Sequence, residues 1–317
     1  MLMDTPRYHE LPEVDGGARS AWGVFGAGDC LGTVNRQTPE RIAAAAGLVR
    51  RGALFSLNAP LDLITPAMFN RGADRRTTLE TTPGRTMDDV HDNFYPQATS
   101  QWDSLGHVAF RPGEFYNGAT TEEIKTGRRN TIEHWGARGI AGRGVLLDIA
   151  ATAPSGYHPG TSTALTVADL ERAREAAGIT YRPGDILLLH TGFLTWYAEQ
   201  DRATRRRMAN RETLTAVGVE HTPEIAAYLW DSQLSAVAGD NPALEVWPPE
   251  DTAEAWPFGF LHHVLIGQLG LAIGELWWLA GLAADCAETG VHECLVTAAP
   301  LNAPGGIGSP ANALALK

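Results

Sequence analysis

Cysteine is scarce. Three residues in 317, at Cys30, Cys286 and Cys294, form an odd set with no CxxC pair. That argues against a disulfide framework and fits reduced thiols in a cytoplasmic protein. No apolar run approaches the roughly 18 residues a membrane-spanning helix needs, so no membrane partner is expected. The opening residues, MLMDTPRYHELPEVDGG, lack a basic stretch followed by an apolar core, so no secretory signal is expected. Positive charge is also in deficit. The balance of 25 Lys and Arg against 37 Asp and Glu gives −12, which argues against nucleic acid or anionic lipid as a partner. One Arg-rich run, DRATRRRMANRE (201–212), is diluted by acidic neighbours and reads as a solvated helix face or a partner contact.

Familiar catalytic signatures are missing too. PGGIGSP (304–310) has no P-loop lysine and no helix after it, so it reads as a C-terminal turn. There is no GxSxG elbow. HECLV lacks the second histidine of HExxH. A P-loop, a Rossmann fold and a zincin are therefore poor readings.

What is present is an alternation of helix and strand signals. TPERIAAAAGLV opens with Thr38 as N-cap and Pro39 at the first helical position, and Gly47 can end it. TVADLERAREAAGI has Thr166 as cap, Asp169 three residues on, and Gly178 as the stop. TPEIAAYLWDSQ repeats the start at Thr222, and ELWWLAGLAADCAETG contains a helix closed by Gly290. RGVLLDIA (143–150) and GDILLLHTGF (184–193) are apolar, bounded by Gly and short, as buried strands are; LSAVAGD (234–240) and HECLVTAAPL (292–301) are weaker cases. Interleaving of this kind predicts an α/β or α+β fold. The region before residue 130 predicts loops and antiparallel strands. With no repeat or linker, one domain over 1–317 is expected, with an N-terminal extension over about 1–20.

The segment QATSQWDSLGHVAF (97–110) places Gln97, Gln101, Asp103 and His107 at even spacings. On a strand they share one face. A straight strand from 97 to 107 would span about 33 Å, so convergence on one site requires a bend. SLG (104–106) offers it, and a helical turn after Asp103 would keep His107 nearby at i+4. A carboxylate, amide oxygens and an imidazole suit a hard or borderline divalent ion. A polar surface strand has the same spacing. In FLHHVLIGQLGLAIGELWWL (260–279), His262, His263 and Glu275 stand nearly alone among apolar residues. A buried Glu275 needs a cation, a donor network or a proton, whereas a surface Glu275 would simply begin a helix.

Together these segments resemble the cyclase family of metal-dependent hydrolases, which includes kynurenine formamidase and isatin hydrolase. Its signature, HxGTHxDxPxH, aligns with QATSQWDSLGH: Gln97 and Gln101 replace the first two histidines, and Asp103 and His107 are kept. The family's later His and Glu, twelve residues apart, match His263 and Glu275. GRGVLLD (142–148), RPGDILLLHTG (182–192), GDN (239–241) and PGGIGSP add to a similarity over roughly residues 20 to 317. The resemblance implies a swivelling β/β/α-type fold, with mixed and antiparallel sheets packed by helices, assembled as a homodimer or homotetramer. It implies Asp103 as the central metal ligand, His263 and Glu275 completing the coordination with Gln97 and Gln101, and His107 moving protons. The cofactor implied is Mn²⁺ or Zn²⁺, with Mg²⁺ as a further candidate, as one or two ions; the neutral amide ligands favour a single ion, and oxygen-rich ligation favours Mn²⁺ or Mg²⁺ more than a His-rich set does. Trp22, Trp102 and Tyr116, with Phe110, are candidates to contact a small-molecule substrate. His190 and His134 read as structural.

The function this implies is hydrolysis of an amide, imide or lactone in a small cyclic or aromatic substrate, with His107 as general base and then acid. A metal-dependent cyclase or dehydratase and a non-catalytic small-molecule binder are the alternatives.

Overall fold

The computed structural model describes residues 5–250 and 252–317. Its centre is a nine-stranded mixed sheet. The strands are β1 (Leu54–Ser56), β2 (Gln101–Asp103), β3 (Ile140–Asp148), β4 (Ile186–His190), β5 (Ala236–Gly239), β6 (Ala272–Glu275), β7 (Glu293–Ala298), β8 (Gly308–Pro310) and β9 (Ala313–Leu316). Their spatial order is β1-β9-β7-β3-β4-β5-β6-β2-β8. The four middle strands, β3 to β6, run parallel. The strands on either side pair antiparallel. Parallel strands are covered on both faces, which is why β4 reads as the unbroken apolar run Ile-Leu-Leu-Leu.

The helices begin where their caps predict. In α1 (Pro39–Ala46) the Thr38 side chain accepts from Arg41 N. In α2 (Val167–Ala176) Thr166 and Asp169 form a reciprocal capping box. The Arg-rich run forms α3 (Arg202–Ala209), capped by Asp201, with Arg206 and Arg207 exposed and Met208 buried. Thr222 caps α4 (Pro223–Asp231). The short α5 (His262–Leu265) precedes β6, and α6 (Ala280–Thr289) closes on Gly290 in the left-handed conformation. Helices α1, α2 and α6 pack on β3.

One sequence reading needs correction. PGGIGSP is more than a turn, because Gly308–Pro310 forms β8 and pairs with β2. Within LWWLAGLAA (276–284), Trp277, Leu279 and Leu282 are buried in the core. The antiparallel region before residue 130 includes a hairpin, Arg75–Thr82 with Thr86–Asp92, whose residues are all exposed.

Candidate metal centre

Register between β2 and β6 builds the site. It sets Asp103 opposite Ile273, Trp102 opposite Gly274 and Gln101 opposite Glu275. Gln101, Asp103 and Glu275 therefore project from one face of the sheet and Trp102 from the other. On that other face Trp102 is fully buried, edge-on to Trp277 at 4.8 Å and to Trp135 at 6.1 Å. Gly274 must be small there, since a Cβ would lie 2.6 Å from the Trp277 ring. On the site face Gln101, directly across from Glu275, donates its amide Nε2–H to Glu275 Oε2.

After Asp103 the chain bends as the spacing requires, through a tight turn closed by His107 N donating to Ser104 O (2.9 Å). His107 Nε2 thereby lies 3.8 Å from Asp103 Oδ1. Helix α5 brings in His262, whose Nε2 is 3.1 Å from Glu275 Oε1 and whose Nδ1 bonds Glu245 Oε1. Glu245 is fully buried and also accepts the backbone N–H groups of Leu261 and His262. His221 Nε2 lies 2.9 Å from its other oxygen. A carboxylate behind a histidine in this way fixes which ring nitrogen faces the site.

One ligand atom each from Asp103, His262 and Glu275 lies within 4.8 Å of the others. Both Asp103 oxygens and Gln101 Oε1 are buried with no hydrogen-bond partner. Buried oxygens are almost always paired, and an unpaired carboxylate is costly. The chemistry of this donor set, two carboxylates with an imidazole and an amide oxygen, fits a divalent cation.

The electrostatics agree. Burial and the charge of Asp103 push Glu275 up to about 7, with His262 pulling the other way. Burial alone would lower His262, but Glu245 and then Glu275 outweigh it and hold the imidazolium up to about 10. Such a group gives up its proton when a cation takes its place. Burial pushes His107 below its ordinary value, against the opposing pull of Asp103, which favours its neutral form.

His262 and Glu275 of the cluster line a cavity of about 320 Å³, together with His107, Arg71 and the apolar Phe69, Trp247 and Phe260. Backbone strain frames it. Leu244 (φ 53°), just before Glu245, and Leu276 (φ 57°), just after Glu275, adopt the left-handed conformation that bulky residues avoid. The Asn241 carbonyl holds Leu276 N at 3.0 Å.

Several expected residues lie elsewhere. It is His262, not His263, that reaches Asp103 and Glu275. His263 turns away, its Nδ1 bonding Ala109 O at 2.6 Å, because neighbours on a helix point about 100° apart. Gln97 sits on a 3-10 turn with its amide over Gly308, the β8 partner of Asp103; a Cβ at Gly308 would lie 2.6 Å from that amide. Trp102 and Tyr116 are fully buried and do not line the cavity; Tyr116 OH donates to Asp29. Phe110 is buried as well. Trp22 is half-buried, donates to Gly267 O, and does not line the cavity. His190 pairs with Asp148 at 2.9 Å. Glu245 and Arg71 were not foreseen. Glu245 has the same signal as Glu275, a solitary carboxylate in an apolar run, whereas nothing in the sequence around Arg71 marks it.

Residues 44–246 match the cyclase family model, described as "Putative cyclase". A crystal structure described as that of a novel cyclase is 32% identical, with a TM-score of 0.82 over 94% of this chain and 99% of that one. Isatin hydrolase A from Labrenzia aggregata, bound to benzyl benzoate, shares the fold at 16% identity, with a TM-score of 0.58 over 86% of this chain and 94% of its own. Isatin hydrolase A from Ralstonia solanacearum does so at 15% identity, with a TM-score of 0.59 over 89% and 98%. No curated protein sequence gives a significant match. On the family model and the 32% identity, the chain belongs to the cyclase family.

Proposed function

We propose that the protein is a metal-dependent hydrolase that opens an amide, imide or lactone in a small cyclic or aromatic substrate. The observation that carries this reading is the pair of buried, partnerless Asp103 oxygens beside His262 and Glu275. These three residues would hold one divalent ion, Mn²⁺ or Zn²⁺ with Mg²⁺ as a further candidate, with Gln101 beside Glu275. When bound, such an ion supplies Lewis acidity toward a carbonyl oxygen and makes water a stronger acid. The chain's own residues do the rest. Glu245 orients His262, and Gln101 orients Glu275. His107, neutral and at the cavity side, takes the proton from attacking water and returns it to the leaving group. Phe69, Trp247 and Phe260 exclude water around an apolar ring.

Elemental analysis of protein purified without chelators should find near-stoichiometric Mn, Zn or Mg, lost to background in Asp103→Ala. His107→Ala should keep the metal and lose about 10²–10⁴-fold in kcat on a responsive formamide, cyclic imide or lactone. Turnover in ¹⁸O-labelled water must place label in the product. Label-free turnover would instead support the cyclase or dehydratase chemistry, and full activity in metal-free Asp103→Ala protein would sink the proposal. Self-association as a homodimer or homotetramer and a cytoplasmic location belong to the same proposal. The exposed Leu79, Met87 and Val90 of the hairpin and the three unpaired cysteines support them, and light scattering tests the first.

A further inference from the structure

The cavity above the metal cluster contains a cation that the hydrolytic chemistry does not use. Arg71 is half-buried at its side, and among the described residues its guanidinium makes one hydrogen bond, from Nη1 to Gln97 O. Of five N–H donors, four have no protein acceptor. No carboxylate among the described residues lies within ion-pairing distance of it, although Asp103 and Glu275 are near enough for their charges to act on it. Once a divalent ion neutralises those two carboxylates, Arg71 has no compensating charge in the cavity.

The local backbone is strained in a way that places this group. Phe69 (φ 60°) and Asn70 (φ 57°) are consecutive non-glycine residues in the left-handed region. Such strain collects at binding sites. The turn sets the Phe69 ring 4.9 Å from Trp247 and 4.9 Å from the Arg71 guanidinium. A second guanidinium, Arg211, is exposed at the cavity over Trp247 (5.1 Å), also without an ion pair among the described residues. Two unpaired arginines in one cavity stand out in a chain with net charge −12.

We propose that Arg71, assisted by Arg211, forms an anion subsite, and that the substrate is a small aromatic or cyclic carboxylate whose carboxylate is separate from the bond being cleaved. A planar guanidinium matches a carboxylate in two-pronged fashion, and the aromatic walls suit the ring between the anion and the metal. The cavity volume suits a ligand of about one ring with short substituents. The word "substrate" here rests on the hydrolase reading; the subsite itself does not.

Calorimetry with benzoate and its neutral isostere benzamide on Mn²⁺-loaded protein tests it. Wild type should prefer benzoate by about tenfold or more, as expected of a charged hydrogen-bonded pair. Arg71→Met should bring the ratio close to one, and Arg211→Gln should reduce it by a smaller factor. A ratio that survives in folded Arg71→Met protein would mean that the metal alone holds the anion, and overturns the proposal. If Arg71→Met fails to fold, Arg71→Lys decides: it keeps the charge without the fork and should lose at least about threefold, and an unchanged ratio refutes the subsite. Because calorimetry needs no turnover, an Arg71-dependent preference without hydrolysis removes the hydrolase reading alone. Hydrolysis with equal kcat/KM for matched anionic and neutral substrates removes the anion subsite alone.

Discussion

The hairpin of residues 75–92 and strand β2 of residues 101–103 are close in the chain and opposite in environment. The hairpin has an extended antiparallel register, with one bulge near Thr82, and every residue of its strands is exposed. β2 has three residues, all buried, paired on both edges by β6 and β8. Hydrogen-bonded register alone therefore does not make a site. What sets β2 apart is that its two faces meet different surroundings. One face enters a cluster of tryptophans, and the other a pocket of carboxylates and imidazoles. The hairpin's faces both meet solvent, and an isolated two-stranded ribbon is marginally stable in water.

Substitutions can break that comparison. Trp102→Ala removes the core-facing side chain of β2 and should cost about 3–5 kcal/mol in denaturant unfolding. A loss below about 1 kcal/mol would mean that this face does not anchor the strand. Gln101→Leu, on the site face, should weaken Mn²⁺ or Zn²⁺ binding by about 10–100-fold, the range for lost outer partners of a metal ligand, with a much smaller change in metal-free stability. Unchanged metal affinity would show that the cross-strand amide does not orient Glu275. The smallest effect is expected in the hairpin. Met87→Lys should shift unfolding by no more than about 0.5 kcal/mol, as for other exposed positions. A larger loss, or a change in assembly size by light scattering, would show that a partner covers the arm.

Legibility in the sequence followed the range of the interactions. Caps at Thr38, Thr166 and Thr222 were readable because a cap is satisfied within a few residues. Three of the four parallel strands, β3, β4 and β5, were readable because burial on both faces writes an apolar run directly into the chain. The pairing of β8 with β2 was not, since PGGIGSP is Gly, Pro and Ser apart from one Ile, and a strand of that kind is defined by its partner. In the HH pair, composition is identical at both positions, and only the orientation of α5 against Glu245 separates His262 from His263.

By itself, the sequence determined that Gln101 and Asp103 share a face, that the chain must bend before His107, and that Glu275 needs compensation if buried. Those are consequences of strand period, chain length and desolvation, which act locally. The tertiary structure decided which groups supply the compensation. Register between β2 and β6 brought Gln101 to Glu275, helix α5 brought His262, and a strained turn brought Arg71 to the cavity. Contacts between segments far apart in the chain depend on how the whole core packs, and no local pattern encodes them.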